Sequence, residues 1–206
     1  MEEILRYFPE LDDLAQARFF DLNNLYNYWN DRVNLISRRD IEHLYTRHVL
    51  HSLAIHAFIK FKPDAEILDV GTGGGFPGIP LAIANPDAKF HLVDSTGKKI
   101  TVCNRIVESL KLKNVSTQQI RAEKIKEKYD FIVSRAVTAF PKFVSWTRDN
   151  IKKEHQHSIP NGIIYLKGGD LKEELKPFEN KAEIIPLSKF FNEDFFETKK
   201  IVYLPI

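Results

Sequence analysis

The stretch Glu66-Ile67-Leu68-Asp69-Val70-Gly71-Thr72-Gly73-Gly74-Gly75 decides how this chain folds. Its first half is aliphatic enough for a short buried strand, and the glycines that follow end that strand abruptly. Glycine has no Cβ, so the backbone can turn tightly there and bring its N–H groups close to a ligand. Residues 77–85 are predicted to form a helix whose N-terminus adds partial positive charge. The pattern therefore predicts a ligand-binding loop between a strand and a helix.

The spacing of the glycines distinguishes between classes of ligand. From Asp69 to Gly75 it reads Asp-x-Gly-x-Gly-x-Gly, which resembles the cofactor loop of S-adenosylmethionine-dependent methyltransferases. A dinucleotide-binding loop needs Gly-x-Gly-x-x-Gly. Counted from Gly71, its last position is occupied by Phe76; counted from Gly73, the last position is Gly78, but Pro77 intervenes. The phosphate-binding pattern Gly-x-x-x-x-Gly-Lys-Ser/Thr is absent, because Gly78 is followed by Ile-Pro. For the loop taken by itself, a glycine-rich turn that serves packing alone remains the alternative.

A second strand supports cofactor binding. Residues 89–94 read Lys-Phe-His-Leu-Val-Asp, and Asp94 follows Gly75 by 19 residues. An acidic residue at about this distance from a glycine loop can accept hydrogen bonds from ribose hydroxyls. Dinucleotides and the methyl donor both contain ribose, so it is the glycine spacing that favours the methyl donor.

Composition limits the class of protein. A chain of 206 residues with 43% hydrophobic content suits one compact domain with a sizeable core. It has no run of 18 apolar residues and begins with acidic residues, so we expect no membrane span and no signal peptide. Cys103 is the only cysteine, which argues against a disulfide and against a zinc cluster, and we expect no metal site. We expect a cytoplasmic protein that is a monomer.

Basic residues are concentrated in the middle of the chain. Residues 96–126 contain eight lysines and arginines against two glutamates, including Lys98, Lys99 and Arg105 on one predicted helix. Residues 170–206 contain eight acidic and six basic residues. This asymmetry suggests one face that binds a polyanion, although a solvated helix face would explain it equally well.

The pattern of apolar residues changes near Pro63. From Leu11 to Ile59 it is helical, with a predicted buried stripe of Leu11, Leu14, Leu22, Leu25, Trp29, Val33 and Ile36. Beyond it, strands are predicted at 66–71, 89–94, 115–120, 129–134, 162–167, 182–187 and 200–205, and helices at 77–85, 97–111, 138–150 and 170–176. We predict an N-terminal helical extension, 1–62, on a core, 63–206, within one compact domain.

Alternation of strands and helices predicts the fold class of this core. It is α/β, a Rossmann-like sheet of seven mostly parallel strands covered by helices on both faces. The last two strands are joined by about a dozen residues, which suits a long hairpin and an antiparallel final strand.

Ligand sites in such sheets form at the carboxyl ends of the strands. Reading those ends predicts the following cofactor-binding residues: Gly71, Gly73, Gly75, Phe76, Asp94, Ala122, Glu123 and Arg135. Ala122 and Glu123 stand where an adenine ring could meet a backbone N–H and a carboxylate. Phe76 packs either on the cofactor or in the core. Arg135 follows a strongly apolar strand, and its guanidinium must find partners at the edge of the crevice.

Several motifs together resemble one family. They are Asn34-Leu35-Ile36-Ser37, Arg47-His48-Val49-Leu50, Asp69 to Leu81 with its Gly-Phe-Pro-Gly-Ile-Pro, Asp94-Ser95, Lys98-Lys99, Ser134-Arg135-Ala136 and Leu166-Lys167-Gly168. The family is the bacterial 16S rRNA guanine-N7 methyltransferases, known as RsmG or GidB. The resemblance covers most of the chain from about Leu25 to Lys167. One departure is that His51 stands where the family usually has an aspartate, so no role of that carboxylate can be transferred.

The resemblance implies transfer of a methyl group from S-adenosylmethionine to N7 of one guanine in 16S rRNA, with free rRNA or the 30S subunit as partner. Guanine N7 carries no proton, so no general base is expected, and Arg135 is the catalytic candidate. Candidate substrate-binding residues are Asn34, Arg47, His48, Arg121 and Lys167. His48 could equally be a core histidine, and Asn34 could simply cap a turn.

Two other functions stay open at the level of sequence. One is an S-adenosylmethionine-dependent methyltransferase that acts on a small molecule or a protein. The other is a non-catalytic RNA-binding module of the same fold. No Asn/Asp-Pro-Pro-Tyr/Phe motif follows the fourth strand, which disfavours methylation of an exocyclic amine. Cys103 lies in a predicted helix, which disfavours a cysteine nucleophile and favours a small buried filler.

Overall fold

The structure is a computed structural model that describes residues 1–206 apart from the side chain of Arg38. The helices are α1 (Glu2–Tyr7), α2 (Asp13–Asn30), α3 (Arg38–Ile41), α4 (His51–Phe58), α5 (Gly78–Ala84), α6 (Gly97–Ser109), α7 (Phe140–Thr147) and α8 (Lys172–Leu175). A π-helical segment, Leu44–Leu50, leads directly into α4. The strands are β1 (Glu66–Val70), β2 (Lys89–Asp94), β3 (Val115–Gln119), β4 (Phe131–Arg135), β5 (Gly162–Gly168), β6 (Glu183–Pro186) and β7 (Lys199–Pro205).

All seven strands form one sheet in the order β3-β2-β1-β4-β5-β7-β6. The first five run parallel to one another, and β7 runs antiparallel to both of its neighbours. The predicted fold class, including the antiparallel final strand, is confirmed. The carboxyl ends of β1, β2 and β4 lie side by side, which brings the glycine loop, Asp94 and Arg135 to one edge of the sheet.

Element boundaries differ from the prediction at two places near that edge. Strand β4 begins at Phe131 and includes Arg135, which is therefore held by sheet pairing to Leu166 rather than lying in the loop beyond. The helix predicted at 138–150 is α7 followed by a 3₁₀ turn, Arg148–Asn150.

The buried face of helix α2 departs from the predicted stripe at Leu14. Ala15, Phe19, Leu22 and Tyr26 are buried at helical spacing, whereas Leu14 is 58% exposed. The prediction for Leu14 was wrong, because the next residue, Ala15, faces inward together with Phe19. The other members of the predicted stripe are buried or packed against the core: Leu11, Leu22, Leu25, Trp29, Val33 and Ile36. Asp12 caps the helix by accepting a hydrogen bond from the Ala15 N–H at 2.7 Å.

The N-terminal helices share one hydrophobic core with the sheet. Ile4, Phe8 and Phe19 belong to the same buried cluster as Phe131 and Tyr203. The division at residue 62 stays a prediction about sequence organisation, but the apolar faces of α1 and α2 are covered by the core. Among the described residues, no helix combines the length and the apolar character needed to cross a membrane.

Candidate cofactor and acceptor site

The glycine loop between β1 and α5 has a backbone that only glycine adopts readily. Gly71, Gly73 and Gly75 have φ values of +67°, +58° and +98°. A Cβ on Gly75 would lie 2.4 Å from Cδ1 of Ile79, so this glycine also lets the loop pack against α5. The tight turn predicted from the sequence is therefore present, and the three glycines serve it in different ways.

Asp69 holds the two ends of this loop together. Its Oδ2 accepts hydrogen bonds from Oγ1 of Thr72 at 2.6 Å and from the Gly78 N–H at 2.9 Å. The Gly78 N–H stands at the start of α5, so an internal carboxylate occupies the helix N-terminus that the sequence suggested for a ligand. Burial raises the pKa of Asp69 to about 7, against the lowering effect of these two hydrogen bonds.

Asp94 connects the loop to the end of β2. Its Oδ2 accepts from the Gly73 N–H at 3.0 Å, and its Oδ1 accepts from the Thr96 N–H at 2.8 Å. A carboxylate oxygen has two lone pairs, so each oxygen can accept one further hydrogen bond. Asp94 thus orders the loop and still offers acceptors to a ligand.

Helix α2 contacts the glycine loop through Tyr26. The Tyr26 hydroxyl donates to the Gly74 carbonyl at 2.7 Å, and its ring stacks on Phe76 with the centroids 4.7 Å apart. Both aromatic side chains are buried. The N-terminal extension therefore forms part of the wall that positions the glycine loop.

Arg135 ends β4 on the other side of the loop. Its Nη1 donates to the Arg47 carbonyl at 3.2 Å, its Nη2 contacts Nδ1 of His48 at 2.8 Å, and its guanidinium carbon lies 5.1 Å from the centre of the Phe76 ring. Burial lowers the pKa of Arg135 to about 10, and Asp69 opposes the shift. The side chain is therefore a fixed cation at neutral pH.

The contact with Arg135 determines the state of His48. A guanidinium has only donors, so Nδ1 of His48 must be the acceptor and the proton must be on Nε2. Burial and the neighbouring Arg135 lower the pKa of His48 to about 3, which agrees with a neutral ring. His48 therefore accepts a hydrogen bond from Arg135, and its low pKa makes it a poor general base.

These elements surround a cavity of about 500 Å³. Seven of the eight predicted cofactor-binding residues line this cavity: Gly71, Gly73, Phe76, Asp94, Ala122, Glu123 and Arg135. Arg121, a predicted substrate residue, lines it as well. Gly75 does not line the cavity, and the adjacent Gly74 does. The volume is typical of small-molecule sites, which span roughly 300–1,000 Å³.

The other predicted substrate residues do not line the cavity. Arg47 pairs with Asp40 at 2.7 Å and offers its backbone carbonyl to Arg135. Lys167 is 13% exposed, pairs with Glu174 and lies over the Tyr165 ring. Asn34 is exposed. The turn that it was suggested to cap is instead held by Asn30, whose Oδ1 accepts from the Leu35 and Ile36 N–H groups.

Sequence reasoning missed several residues of the site. Leu35, Lys99, Val137 and Trp146 line the cavity, and Tyr26 supports it. The spacing of Tyr26 from Phe19 and Leu22 on α2 is the one signal that could have placed Tyr26 on the buried face. Nothing local in the sequence indicates that Leu35 and Trp146 face the same space.

The fold is that of S-adenosylmethionine-dependent methyltransferases. The structure of one from Aquifex aeolicus matches with a TM-score of 0.58 and 16% identity, over 83% of this chain and 100% of that one. A precorrin-6y C5,15-methyltransferase from Geobacter metallireducens matches with a TM-score of 0.55 and 10% identity, over 84% of this chain and 92% of that one. At such identities the likeness defines the fold class alone.

Sequence comparison narrows the class to one family. The family model described as GidB, rRNA small subunit methyltransferase G, matches residues 16–200. The ribosomal RNA small subunit methyltransferase G of Flavobacterium johnsoniae is 57% identical over 206 residues, which cover 100% of this chain and 98% of that protein. That of Bacteroides thetaiotaomicron is 50% identical over 100% of both chains. This chain belongs to the GidB family of rRNA small subunit methyltransferases, as its motifs predict.

Proposed function

We propose that this protein uses S-adenosylmethionine to methylate N7 of one guanine in 16S rRNA, either free or within the 30S subunit. Membership of the GidB family supports an rRNA methyltransferase. The observation that carries the proposal is a single cavity bordered by the Asp94-bound glycine loop on one side and by Arg135 on the other. The first side suits the methyl donor and the second suits an acceptor nucleotide.

The residues on the first side have the chemistry to hold the donor. Asp94 retains an acceptor on each oxygen for the two ribose hydroxyls. The glycine loop brings backbone close to the ligand with no side chain between them. Ala122 and Glu123 offer a backbone N–H and a carboxylate to the adenine, and Phe76 offers an apolar ring. When bound, the cofactor supplies an electrophilic methyl group attached to a positively charged sulfur.

Transfer to guanine N7 needs no proton removal. Guanine N7 carries its own lone pair, so a methyl group from the bound donor would be transferred to it without a base from this chain. The chain then has to align the two reactants and shape the charge around them. This agrees with a neutral His48, whose low pKa and contact with Arg135 leave it poorly suited to act as a base.

Arg135 is the residue that we propose to contact the acceptor nucleotide. The Arg47 carbonyl and His48 hold its guanidinium, so both act as positioning residues through it. A methyl acceptor needs N7 free, so contact with guanine O6 or with a phosphate is favoured. Arg121 also lines the cavity. Lys167 would have to exchange Glu174 for a phosphate, and Asn34 is exposed.

The proposal is tested by methylating 16S rRNA and 30S subunits that lack the modification. We expect the purified protein to transfer radiolabelled methyl groups to RNA, at a single guanine whose strand is cleaved after borohydride and aniline treatment. Arg135→Ala should retain the fold and some cofactor binding and lose most of the transfer. Arg148→Ala, a change of an exposed arginine at the end of α7, is the matched control.

Three outcomes would contradict the proposal in different ways. Label on another position of the nucleotide would exclude N7 chemistry. Label on protein or on small molecules alone would identify another acceptor class. Absence of cofactor binding by calorimetry would identify a non-catalytic RNA-binding module.

A further inference from the structure

A second group of residues lies beside Arg135, away from the glycine loop. Strand β7 begins at Lys199, which pairs with Gly168 at the carboxyl end of β5. The short 3₁₀ turn before it, Asp194–Phe196, places Phe195 next to the π-helical segment that carries Arg47. We define Arg47, His51, Phe195 and Lys199 as the Phe195 cluster.

Phe195 is the centre of this cluster. Its ring centroid lies 4.8 Å from Nζ of Lys199 and 5.9 Å from the guanidinium carbon of Arg47. His51 packs against it edge-to-face, with the ring centroids 5.6 Å apart. Phe195 is half-buried, in contrast to its neighbour Phe196, which is fully buried. Two cations, Lys199 and Arg47, therefore lie over a half-buried aromatic ring.

Arg47 joins the cluster to the proposed acceptor side of the cavity. Its backbone carbonyl accepts from Arg135 at 3.2 Å, while its side chain, 37% exposed, reaches the Phe195 ring and Asp40. The cluster is therefore connected to Arg135 through the backbone of Arg47.

The charge of the cluster is positive. His51 is buried and neutral, because burial and the nearby Arg135 and Lys199 lower its pKa well below the usual range. The His51 ring beside Phe195 therefore carries no negative charge that could pair with Lys199. Among the described residues, Lys199 has no carboxylate within ion-pair distance. Arg47 alone is paired, with Asp40.

We propose that the Phe195 cluster binds an unpaired RNA nucleotide adjacent to the acceptor guanine: the base replaces the Lys199 ammonium over the Phe195 ring, and Lys199 and Arg47 then contact its phosphate. The inference rests on the proposed function, since it places the second nucleotide relative to Arg135. Proteins that bind single-stranded nucleic acid combine aromatic side chains, on which bases stack, with cations that contact the phosphates. The substrate segment is therefore single-stranded at this position.

The test compares stacking and charge separately. Phe195→Leu keeps an apolar cover over His51 but removes the aromatic face, and Phe195→Trp retains it. We expect Phe195→Leu to bind an unpaired oligoribonucleotide of about ten residues roughly 5- to 150-fold more weakly, and Phe195→Trp to bind at least as well as the parent. Lys199→Gln should lower the slope of log affinity against log salt by about one. Phe190→Leu and Lys189→Gln are the matched controls from the same C-terminal segment.

An oligonucleotide with abasic positions completes the design. The parent protein should bind the abasic strand more weakly than the intact strand. Phe195→Leu should bind both strands with the same affinity, because its aromatic stacking partner is already absent. Thermal unfolding of each variant shows whether packing has changed, and Lys199→Gln tests the cluster even if Phe195→Leu does not fold. Parent-like RNA affinity of Phe195→Leu, or an unchanged salt slope for Lys199→Gln, would overturn the inference. If the parent protein methylates rRNA although the variants give either of these results, the proposed function stands and only the role of the Phe195 cluster is rejected.

Discussion

At the scale of single residues, Asp69 is the buried charge that the glycine loop depends on. Burial raises its pKa from about 4 to about 7, so the folded protein binds this proton more tightly than the unfolded chain. The free energy of unfolding should therefore fall as the pH rises from about 4 to about 7, by at most about 4 kcal/mol. Asp69→Asn, which retains an acceptor for Thr72 and Gly78, should remove this part of the pH dependence.

Urea unfolding at pH 5 and pH 8 measures the effect. The difference in stability between parent and Asp69→Asn should move in favour of the variant at the higher pH. Asp87→Asn, an exposed change in the turn before β2, should follow the parent at both values. Parallel profiles for all three proteins would show that Asp69 ionises without cost.

Asp94 is the residue whose loss should affect the cofactor most directly. Its two oxygens hold the Gly73 and Thr96 N–H groups, so Asp94→Ala removes ligand acceptors and also leaves those donors without partners. We expect S-adenosylmethionine binding to weaken by about 1–3 kcal/mol. Isothermal titration calorimetry on the folded variant checks this, and an affinity equal to that of the parent would remove Asp94 from the proposed site.

At the scale of elements, helix α2 and the glycine loop act as one unit through Tyr26. Tyr26→Phe keeps the ring that stacks on Phe76 but leaves the Gly74 carbonyl without its hydroxyl donor. A buried acceptor without a partner costs about 1–3 kcal/mol, and part of this should appear as weaker cofactor binding because Gly74 lines the cavity. Tyr28→Phe, at a 52% exposed position on the same helix, should change neither quantity. A loss of stability with full cofactor affinity would limit Tyr26 to a packing role.

Local sequence patterns could predict the elements but not their long-range contacts. The glycine loop and the apolar strands are encoded by neighbouring residues, and the seven-stranded sheet follows from their alternation. Tyr26 and Gly74 are 48 positions apart, and Arg135 and His48 are 87 apart. No pattern of period 2 or 3.6 specifies such pairs. For the same reason Gly75 was predicted in the cavity although it packs on Ile79, and Lys167 was predicted to be available although it pairs with Glu174.

At the scale of the whole molecule, the basic middle of the chain divides between two roles. Lys99 lines the cavity, Lys98 is exposed on the same helix, and Arg105 pairs with Glu108. Lys98→Gln should therefore lower the salt dependence of RNA affinity and leave cofactor affinity unchanged, whereas Lys99→Gln should affect both. Fluorescence anisotropy with labelled RNA at several salt concentrations, beside calorimetry with the cofactor, separates them. If the salt slope is the same in both variants as in the parent, α6 is a solvated face.

The N-terminal helices and the sheet are joined by a shared core, which gives the predicted boundary at residue 62 a direct test. Ile4, Phe8, Phe19 and Leu22 are buried in the same cluster as residues of α5 and of the sheet. A chain that begins at Pro63 would expose the apolar faces that these side chains cover, and exposed patches of that kind lead to aggregation.

We therefore expect the fragment 63–206 to show no cooperative thermal transition and no cofactor binding. Adding the peptide 1–62 in trans should restore both in part, since the lost contacts, apolar packing and the hydrogen bonds of Tyr26, Arg47 and His48, do not depend on chain continuity. Cooperative unfolding and parent-like S-adenosylmethionine affinity in the isolated fragment would show that the sheet is an independent domain. In that case Tyr26 would be dispensable for the shape of the glycine loop, and the Tyr26→Phe variant should behave like the parent.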